Sequence, residues 1–180
     1  TSLFVNSLVE SGYVIKSLVD GRYFISDKLE RLVSDARGGR LAHLESIAYA
    51  EMKKLHDLFD ENVLLSVLNG FQVQFVLTLP SSKNVRILNT EDRFLPHVTA
   101  GGKAILAYLP SPTLEHYFVD TEFEQHTRKS LRSRNGVLRD LERTRSRGYA
   151  INRGEDDEVV MAVAAPIFYR DVVSASSVVQ

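Results

Sequence analysis

The chain has 180 residues, of which 44% are hydrophobic and 25% are charged, and its formal net charge is −1 at pH 7. This composition is ordinary for a folded protein and makes no overall electrostatic case for nucleic acid, so any DNA interface has to be local. The absence of cysteine excludes disulfides and thiolate metal sites. Because no run approaches the length of a membrane span and no leader pattern is visible, we expect a cytoplasmic protein without a membrane partner.

The first 26 residues predict a helix followed by a two-stranded ribbon. Apolar residues at helical spacing precede Gly12, which ends the helical pattern. Asp20-Gly21 is a tight-turn signal between short apolar strands at 13–15 and 22–25. This order is typical of the back half of a winged helix-turn-helix. So short a segment cannot bury enough surface to be stable alone, and we expect the chain to be trimmed relative to the whole protein.

Residues 27–40 are charged and end in the sequence R-G-G-R, which predicts a hinge or linker between two modules. From residue 41 to residue 58, apolar residues recur at helical spacing and predict a long amphipathic helix. The sequence therefore predicts two modules with a hinge between them, the second of which begins with a helix.

The rest of the chain predicts an antiparallel sheet with helices on its faces. Two apolar runs at 62–68 and 71–79 are joined by Asn69-Gly70, a dipeptide that favours a type I′ hairpin. Further strands are predicted at 85–88, 149–151, 159–168 and 172–179, and helices at 99–109, from Ser111 onward and at 134–147. The order of these elements favours an α+β fold.

The segment from Thr99 to Lys103 predicts a helix start that is packed with small residues. Ala100, Gly101 and Gly102 leave the first backbone N–H groups uncovered, and a helix N-terminus directs such donors toward an anion or a carbonyl oxygen. An equally good interpretation is that the two glycines relieve a tight contact between helix and sheet. Both interpretations stay open at this point. We expect Lys103 to reach solvent or a nearby carboxylate.

The acidic loop at 152–158 allows another chemistry. A hydrolase uses paired carboxylates, one protonated and one ionised, for general acid–base catalysis, but a solvated loop before a strand is the favoured interpretation. The five histidines are scattered without metal-ligand spacing, and no serine stands in a nucleophile elbow. We therefore expect no enzymatic activity, no metal and no cofactor.

Eight basic residues lie between positions 128 and 147. Because Asp140 and Glu142 interrupt them and no aromatic row is interleaved, they predict a solvated helix face rather than a nucleic-acid-binding stripe.

Four blocks of sequence, in order along the chain, resemble the IclR family of bacterial transcriptional regulators. The first block, residues 8–14 with 20–23, resembles the end of the family's recognition helix and its wing. The other three resemble its H-A-T-A-x-G-K-A-x-L-A segment at 97–107, its L-x-x-L-x-x-x-R-x-x-G-Y-A pattern at 138–150, and its acidic loop with a V-x-A-V-A-A-P-I strand at Glu155 and 160–167.

This resemblance implies a GAF/profilin-like antiparallel sheet flanked by helices, preceded by part of a winged helix-turn-helix and a linker helix. Residues 1–26 correspond to the C-terminal part of the DNA-binding domain, 27–40 to the linker and 41–180 to the GAF-like effector-binding domain. Since the chain stops within a predicted strand at Gln180, we expect the family's C-terminal helix to be absent from it.

The resemblance also implies an effector pocket in the C-terminal domain, in which main-chain donors hold an oxyanion and side chains accept from a hydroxyl or an aldehyde hydrate. The residues that would form it are Thr99, Ala100, Gly101, Glu155, Ala162 and Ser177. A bare dicarboxylate beside Glu155 would be disfavoured by like-charge repulsion. The expected effector is therefore a short hydroxy acid or a semialdehyde-like metabolite, with aromatic acids as the alternative.

In the DNA-binding segment, the resemblance implies base contacts from Thr1, Ser2 and Asn6 and phosphate contacts from Lys16 and Arg22. For the last two, ordinary solvent-facing charges are an equally good interpretation.

Taken together, the resemblance implies a ligand-responsive DNA-binding regulator, a repressor of a catabolic operon, that binds double-stranded operator DNA as a homodimer or a dimer of dimers. Binding of a small organic acid or semialdehyde would alter operator affinity. Two alternatives stay open. A GAF-type small-molecule sensor module with a non-DNA output would lack a helix-and-wing segment. An enzyme using the carboxylates at 152–158 would lose turnover on Glu155→Gln.

Overall fold

The computed structural model describes residues 2–17, 20–83, 94–119, 121–169 and 172–180, without the side chains of 2, 3, 30, 32–37 and 40. The chain divides into two compact units, Thr1–Ser46 and Ile47–Gln180. The strand predicted at 85–88 lies outside the described residues.

The N-terminal unit contains the predicted helix and ribbon. Helix α1 runs from Ser2 to Glu10, and strands β1 (Val14–Lys16) and β2 (Tyr23–Ile25) pair antiparallel. Gly12 has a φ of +74°, a conformation that glycine adopts at little cost, and the chain turns there from α1 into β1. The predictions for this segment are confirmed.

Helix α2 is continuous from Asp27 to Phe59 and contains 33 residues. The sequence predicts a hinge at Gly38-Gly39, whereas the structure continues the helix through both glycines. Neither has a positive φ. The surrounding leucine, arginine, lysine and glutamate residues are good helix formers, and they outweigh a cost of about 1 kcal/mol for each glycine.

In the described part of the chain, the second unit is built on a five-stranded antiparallel sheet in the order β4-β3-β7-β6-β5. Its strands are β3 (Val63–Asn69), β4 (Gln72–Leu79), β5 (Ala150–Arg153), β6 (Met161–Tyr169) and β7 (Val172–Val179). Alternate residues of these strands face a core that includes Leu64, Ala162, Ala164 and Val178. This mixed arrangement confirms the predicted α+β class.

The hairpin between β3 and β4 is also confirmed, but its turn differs from the prediction. Asn69 pairs with Gln72, so the two central residues of the turn are Gly70 and Phe71. Only Gly70 has a positive φ, at +61°. A positive φ at the first central residue alone is the pattern of a type II′ turn, which twists with the strands as a type I′ turn does.

The described residues of this unit form three helices beside the sheet: α3 (Ala100–Leu106), α4 (Ser111–Val119) and α5 (Arg134–Arg147). A single 3-10 turn at Pro96–Val98 precedes α3, which lies on the sheet over β3, β6 and β7. Ser133 caps the start of α5, and Gly148 ends it with a φ of +84°. Among the described residues, no helix combines the length and apolarity that crossing a membrane requires.

Candidate functional site

The helix start predicted at Thr99 is present, and it is capped. Thr99 is the N-cap, and its hydroxyl accepts a hydrogen bond of 3.0 Å from the Gly102 amide, while its carbonyl accepts one of 3.0 Å from the Lys103 amide. The amides of Ala100 and Gly101 donate to no group in the described part of the chain. They are the donors that a helix start leaves for water or a ligand.

The two glycines of this turn are required by close packing. A Cβ on Gly102 would lie 2.3 Å from the carbonyl oxygen of Pro96, and one on Gly101 would lie 2.3 Å from the Ser66 hydroxyl. Ser176 approaches the same position and donates a hydrogen bond of 3.0 Å to the Gly101 carbonyl. The tight helix-on-sheet contact, one of the two interpretations of this sequence, is therefore present.

A hollow of about 50 Å³ also opens at this helix start. It brings together Thr99, Ala100, Gly101 and Ala162, four of the six residues predicted for effector binding. The rest of its wall is supplied by Phe75, Phe94, Asn152, Asp156, Val160, Val178 and Gln180. At about 30 Å³ per water molecule, a hollow of this size holds one or two waters.

The structure places the Glu155 carboxylate on Lys103, away from this hollow. The Lys103 ammonium is fully buried and donates to Glu155 Oε1 at 2.9 Å and to the Ile151 carbonyl at 2.6 Å, and it lies 3.1 Å from Asp140 Oδ2. The other oxygen of Glu155 accepts from the Arg153 amide at 2.6 Å. The expectation that Lys103 reaches a carboxylate is confirmed, and the ion pair involves two.

The acidic loop is anchored rather than freely solvated. The Asn152 side chain accepts from the amides of Gly154 and Glu155 and donates to the Val98 carbonyl. Thr127 and Ser130 donate to the loop carbonyls at 154 and 155, at 2.6 and 2.7 Å. These contacts fix two neighbouring carboxylates on different sides, since Glu155 meets Lys103 while Asp156 lines the hollow.

A second, open cleft of about 300 Å³ lies between α5 and β5. Its lining residues are Asp140, Arg143, Arg147, Ile151, Arg153 and Glu155. Both acidic partners of Lys103, Asp140 and Glu155, belong to this lining. Glu155 thus faces a charged cleft that shares no lining residue with the hollow at Thr99.

Ser177 lies on the opposite face of the sheet from α3. Its neighbours Ser176 and Val178 both approach Gly101, and successive side chains of a strand point to opposite faces. Ser177 is paired with Leu65 and Ala165, and its hydroxyl is buried without a hydrogen-bond partner among the described residues. The strand therefore presents Ser176 to the helix start where the sequence suggested Ser177.

His97, just before the helix start, is fully buried and hydrogen-bonds the Tyr117 hydroxyl through Nδ1 at 2.6 Å. Burial lowers the pKa of His97 to about 4, and the nearby positive charges of His126 and Lys103 contribute smaller effects in the same direction. Burial likewise raises the pKa of Tyr117 to about 12. The pair is therefore neutral near pH 7, which makes it a structural support of the turn before α3.

The structure places the residues predicted to contact DNA as follows. Asn6 is exposed on α1, whereas Thr1 and the Ser2 side chain lie outside the described part of the chain. Lys16 extends over the Tyr23 ring at 5.5 Å on the β1–β2 ribbon. Arg22 is exposed beside the turn, and its Nε lies 3.3 Å from Asp20.

Seven of the eleven lining residues of the hollow were not predicted from the sequence, and two of them, Asn152 and Asp156, belong to the acidic loop. Asn152 begins the acidic loop, and an asparagine two residues before a glycine is a signal for a side-chain–backbone turn of the kind it forms. No comparable signal distinguishes Asp156 from Glu155. Glu155 is bound by the buried Lys103, and its neighbour Asp156 is the acid that lines the hollow.

Comparison with known proteins places these features in a family. Residues 40–180 match the family model described as "Bacterial transcriptional regulator IclR C-terminal". The HTH-type transcriptional regulator KdgR of Escherichia coli (strain K12) is 26% identical over 168 residues, which are 93% of this chain and 63% of that regulator. The chain thus spans less than two thirds of the length of this relative, which is named as a regulator and not as an enzyme.

Solved structures share the fold. IclR of Thermotoga maritima superposes with a TM-score of 0.73 at 25% identity, covering 98% of this chain and 71% of that one. An IclR homolog from Microbacterium hydrocarbonoxydans, complexed with 4-hydroxybenzoate, gives a TM-score of 0.73 at 23% identity, covering 98% of this chain and 72% of that one.

Proposed function

Because the chain belongs to the IclR family of bacterial transcriptional regulators, we propose that it is a ligand-responsive DNA-binding regulator whose C-terminal domain binds a small organic acid or semialdehyde. The observation that carries this proposal is the hollow at the start of α3, within the segment that matches the family. There the amides of Ala100 and Gly101, which make no hydrogen bond with the described residues, lie beside Thr99 and Ala162. The proposed domains are 1–26 for part of the DNA-binding module, 27–40 for the linker and 41–180 for the effector-binding domain.

The hollow favours a ligand with one acidic and one hydroxyl or carbonyl end. The amides of Ala100 and Gly101 suit an oxyanion or a carbonyl oxygen. Asp156 lines another part of the wall, and a second carboxylate of a ligand would be repelled there. A hydroxyl or an aldehyde hydrate would instead donate to Asp156. In this proposal, Glu155 and Ser177 affect ligand affinity without contacting the ligand. Glu155 acts through its ion pair with Lys103, and Ser177 acts through its place in the sheet.

Ligand entry requires the hollow to widen, because about 50 Å³ is less than a hydroxy acid occupies. The side chains best suited to yield are the partly buried Phe75 and Phe94, whose ring centroids lie 5.3 Å apart at its edge. An aromatic acid is the larger alternative, and the complex of the Microbacterium homolog with 4-hydroxybenzoate makes this acid a suitable probe.

The DNA-binding part of the proposal is supported by the helix and ribbon of the N-terminal unit. Helix α1 lies against β1, and the Ser26 hydroxyl closes the turn between them by donating to the Gly12 carbonyl at 2.6 Å. We assign base contacts to Thr1, Ser2 and Asn6 and phosphate contacts to Lys16 and Arg22. Arg22 also has an acidic neighbour, Asp20, so Lys16 is the clearer phosphate contact.

We further assign the regulator to repression of a catabolic operon and to a homodimer or a dimer of dimers. Two recognition segments on one operator require two-fold symmetry, and effector binding would alter their spacing. Met161 and Val163, both exposed on the outer face of β6, offer apolar surface for such an association. A differential affinity of about 1.4 kcal/mol between the two states suffices for a tenfold release of DNA.

The test combines a ligand screen with a DNA-binding assay on the intact protein. Short hydroxy acids, semialdehydes and 4-hydroxybenzoate are screened by thermal shift, and the best stabiliser is added to a mobility-shift titration with operator fragments. We expect sequence-specific duplex binding that weakens about tenfold with ligand. Lys16→Gln should weaken binding to all sequences and reduce the salt slope by about one, and Lys54→Gln, outside the N-terminal unit, should not.

Binding of a ligand without any specific duplex binding would favour the second candidate, a GAF-type sensor with a non-DNA output. The helix-and-ribbon segment argues for DNA over this alternative.

A further inference from the structure

The cleft between α5 and β5 combines two regular surfaces. Positions 140, 143 and 147 are spaced by three and four residues and share one face of α5, while 151 and 153 share one face of β5. Both surfaces turn their charged side chains toward the same open space of about 300 Å³. This volume lies at the lower end of the range for small-molecule sites.

Two of the three guanidinium groups in the cleft are available to a ligand. Arg143 and Arg153 are exposed, and their side chains make no hydrogen bond or ion pair with the described residues. Arg147 is partly engaged, since it donates to the Tyr149 carbonyl and lies over the Tyr149 ring. A guanidinium presents paired N–H donors in a plane, the geometry that phosphate and carboxylate oxygens accept in pairs.

The charges of the cleft leave a positive surplus. Asp140 and Glu155 are already bound by the buried Lys103 ammonium, and together with it they carry one net negative charge. Against this stand three guanidinium groups, so the cleft as a whole has a surplus of two positive charges. A phosphate monoester carries about −1.5 to −2 charges at pH 7 and matches this surplus.

We propose that this cleft binds the phosphate group of a small phosphate monoester, with Arg143 and Arg153 as its principal contacts. The volume exceeds that of a phosphate alone and leaves room for a short organic part. A monocarboxylate would match only half of the surplus charge. The inference stands apart from the proposed function, because the cleft and the hollow at Thr99 share no lining residue.

The test measures binding of inorganic phosphate and of glycerol 3-phosphate to the 180-residue chain by isothermal titration calorimetry at constant ionic strength. We expect saturable binding of both probes and none of glycerol. Arg143→Gln and Arg153→Gln should each weaken binding about tenfold, as the loss of a charge-assisted hydrogen bond does. Both side chains are exposed, so the variants should unfold at the same urea concentration as the parent protein.

The matched control is Arg139→Gln, which removes the same charge from an exposed position of α5 outside the cleft. Its affinity for phosphate should stay within twofold of the parent protein. An equal loss in Arg139→Gln and Arg143→Gln would mean general surface attraction and would overturn the proposal, as would the absence of saturable phosphate binding. Neither result bears on ligand binding in the hollow at Thr99.

Discussion

The hollow at the start of α3 and the cleft beside α5 lie on two sides of one loop, yet they differ in almost every physical respect. The hollow is small and largely apolar, with uncapped amides and one carboxylate, Asp156. The cleft is about six times larger and lined mostly by charge. The Lys103 ion pair separates the two adjacent acids of the loop, because Glu155 pairs with Lys103 and lines the cleft while Asp156 lines the hollow.

The largest effect is expected from removing that buried charge. Lys103→Met leaves Asp140 and Glu155 close together without their cation, and breaking a buried ion pair in this way costs about 3–5 kcal/mol. The free energy of unfolding, measured by urea denaturation, should fall by this amount. Lys53→Met, which breaks an exposed pair with Asp57, serves as the control and should change it little. Equal effects of the two variants would show that the ion pair does not organise the two sites.

The buried His97 predicts a loss of stability in mild acid. Its pKa of about 4 in the folded chain lies below the value of 6.5 for an exposed histidine. Above pH 6.5, His97 is therefore mostly neutral in the folded and in the unfolded chain. As the pH falls from 6.5 to 4, His97 binds a proton in the unfolded chain but stays neutral in the folded chain. The free energy of unfolding should fall by roughly 3 kcal/mol across this window.

Urea unfolding at pH 7 and pH 4.5 measures this contribution against the His97→Gln variant, whose side chain does not titrate. The parent protein should lose more stability than the variant over this interval. Parallel losses would assign the acid sensitivity to other groups.

The two glycines at the start of α3 should differ in their tolerance of a methyl group. Gly102→Ala meets the backbone of Pro96, which cannot move alone, and should cost about 3 kcal/mol, the upper end for overpacking. Gly101→Ala meets side-chain atoms only, the Ser66 hydroxyl at 2.3 Å and atoms of Ser176 and Val178 at 3.0 Å, and should cost less. As a control, Gly38→Ala enters open space in α2 and should stabilise that helix by about 0.5–1 kcal/mol. The reverse order of the first two costs would contradict the packing described here.

The smallest effect is expected at the helix caps. Thr99→Ala and Ser133→Ala each remove a side-chain acceptor from a helix start, at about 1 kcal/mol. Their costs in urea unfolding should be similar, while their effects on ligand affinity should differ. Only Thr99→Ala should weaken binding of the best ligand of the thermal-shift screen, because Thr99 lines the hollow and Ser133 does not. Equal ligand affinities in both variants would remove Thr99 from the site.

Local signals explain what the sequence predicted well. The bounds of α5 follow from Ser133 at one end and Gly148 at the other, and the β3–β4 hairpin follows from two apolar runs with a glycine between them. At Gly38-Gly39 the flanking helix formers outweighed a local break signal. Each of these outcomes depends on residues within a few positions of each other.

The site itself depends on contacts that no local pattern contains. Lys103 and Glu155 are 52 residues apart, and they meet because α3 lies on β5 and β6. Arg153 joins Arg143 only once β5 is placed beside α5. Ser177 differs from Ser176 by one step along a strand, and one step reverses the face. Sequence reasoning found the right segments but not the face that each side chain occupies.

The most direct test of the central claim compares two alanines on one strand. Ala162 lines the hollow, and Ala165 is exposed on the opposite face of β6, so Leu at either position adds the same volume in different places. Calorimetric titration of the best ligand from the screen should give an affinity at least about tenfold weaker for Ala162→Leu and unchanged for Ala165→Leu. Unchanged affinity in Ala162→Leu, with the fold intact, would place the ligand elsewhere.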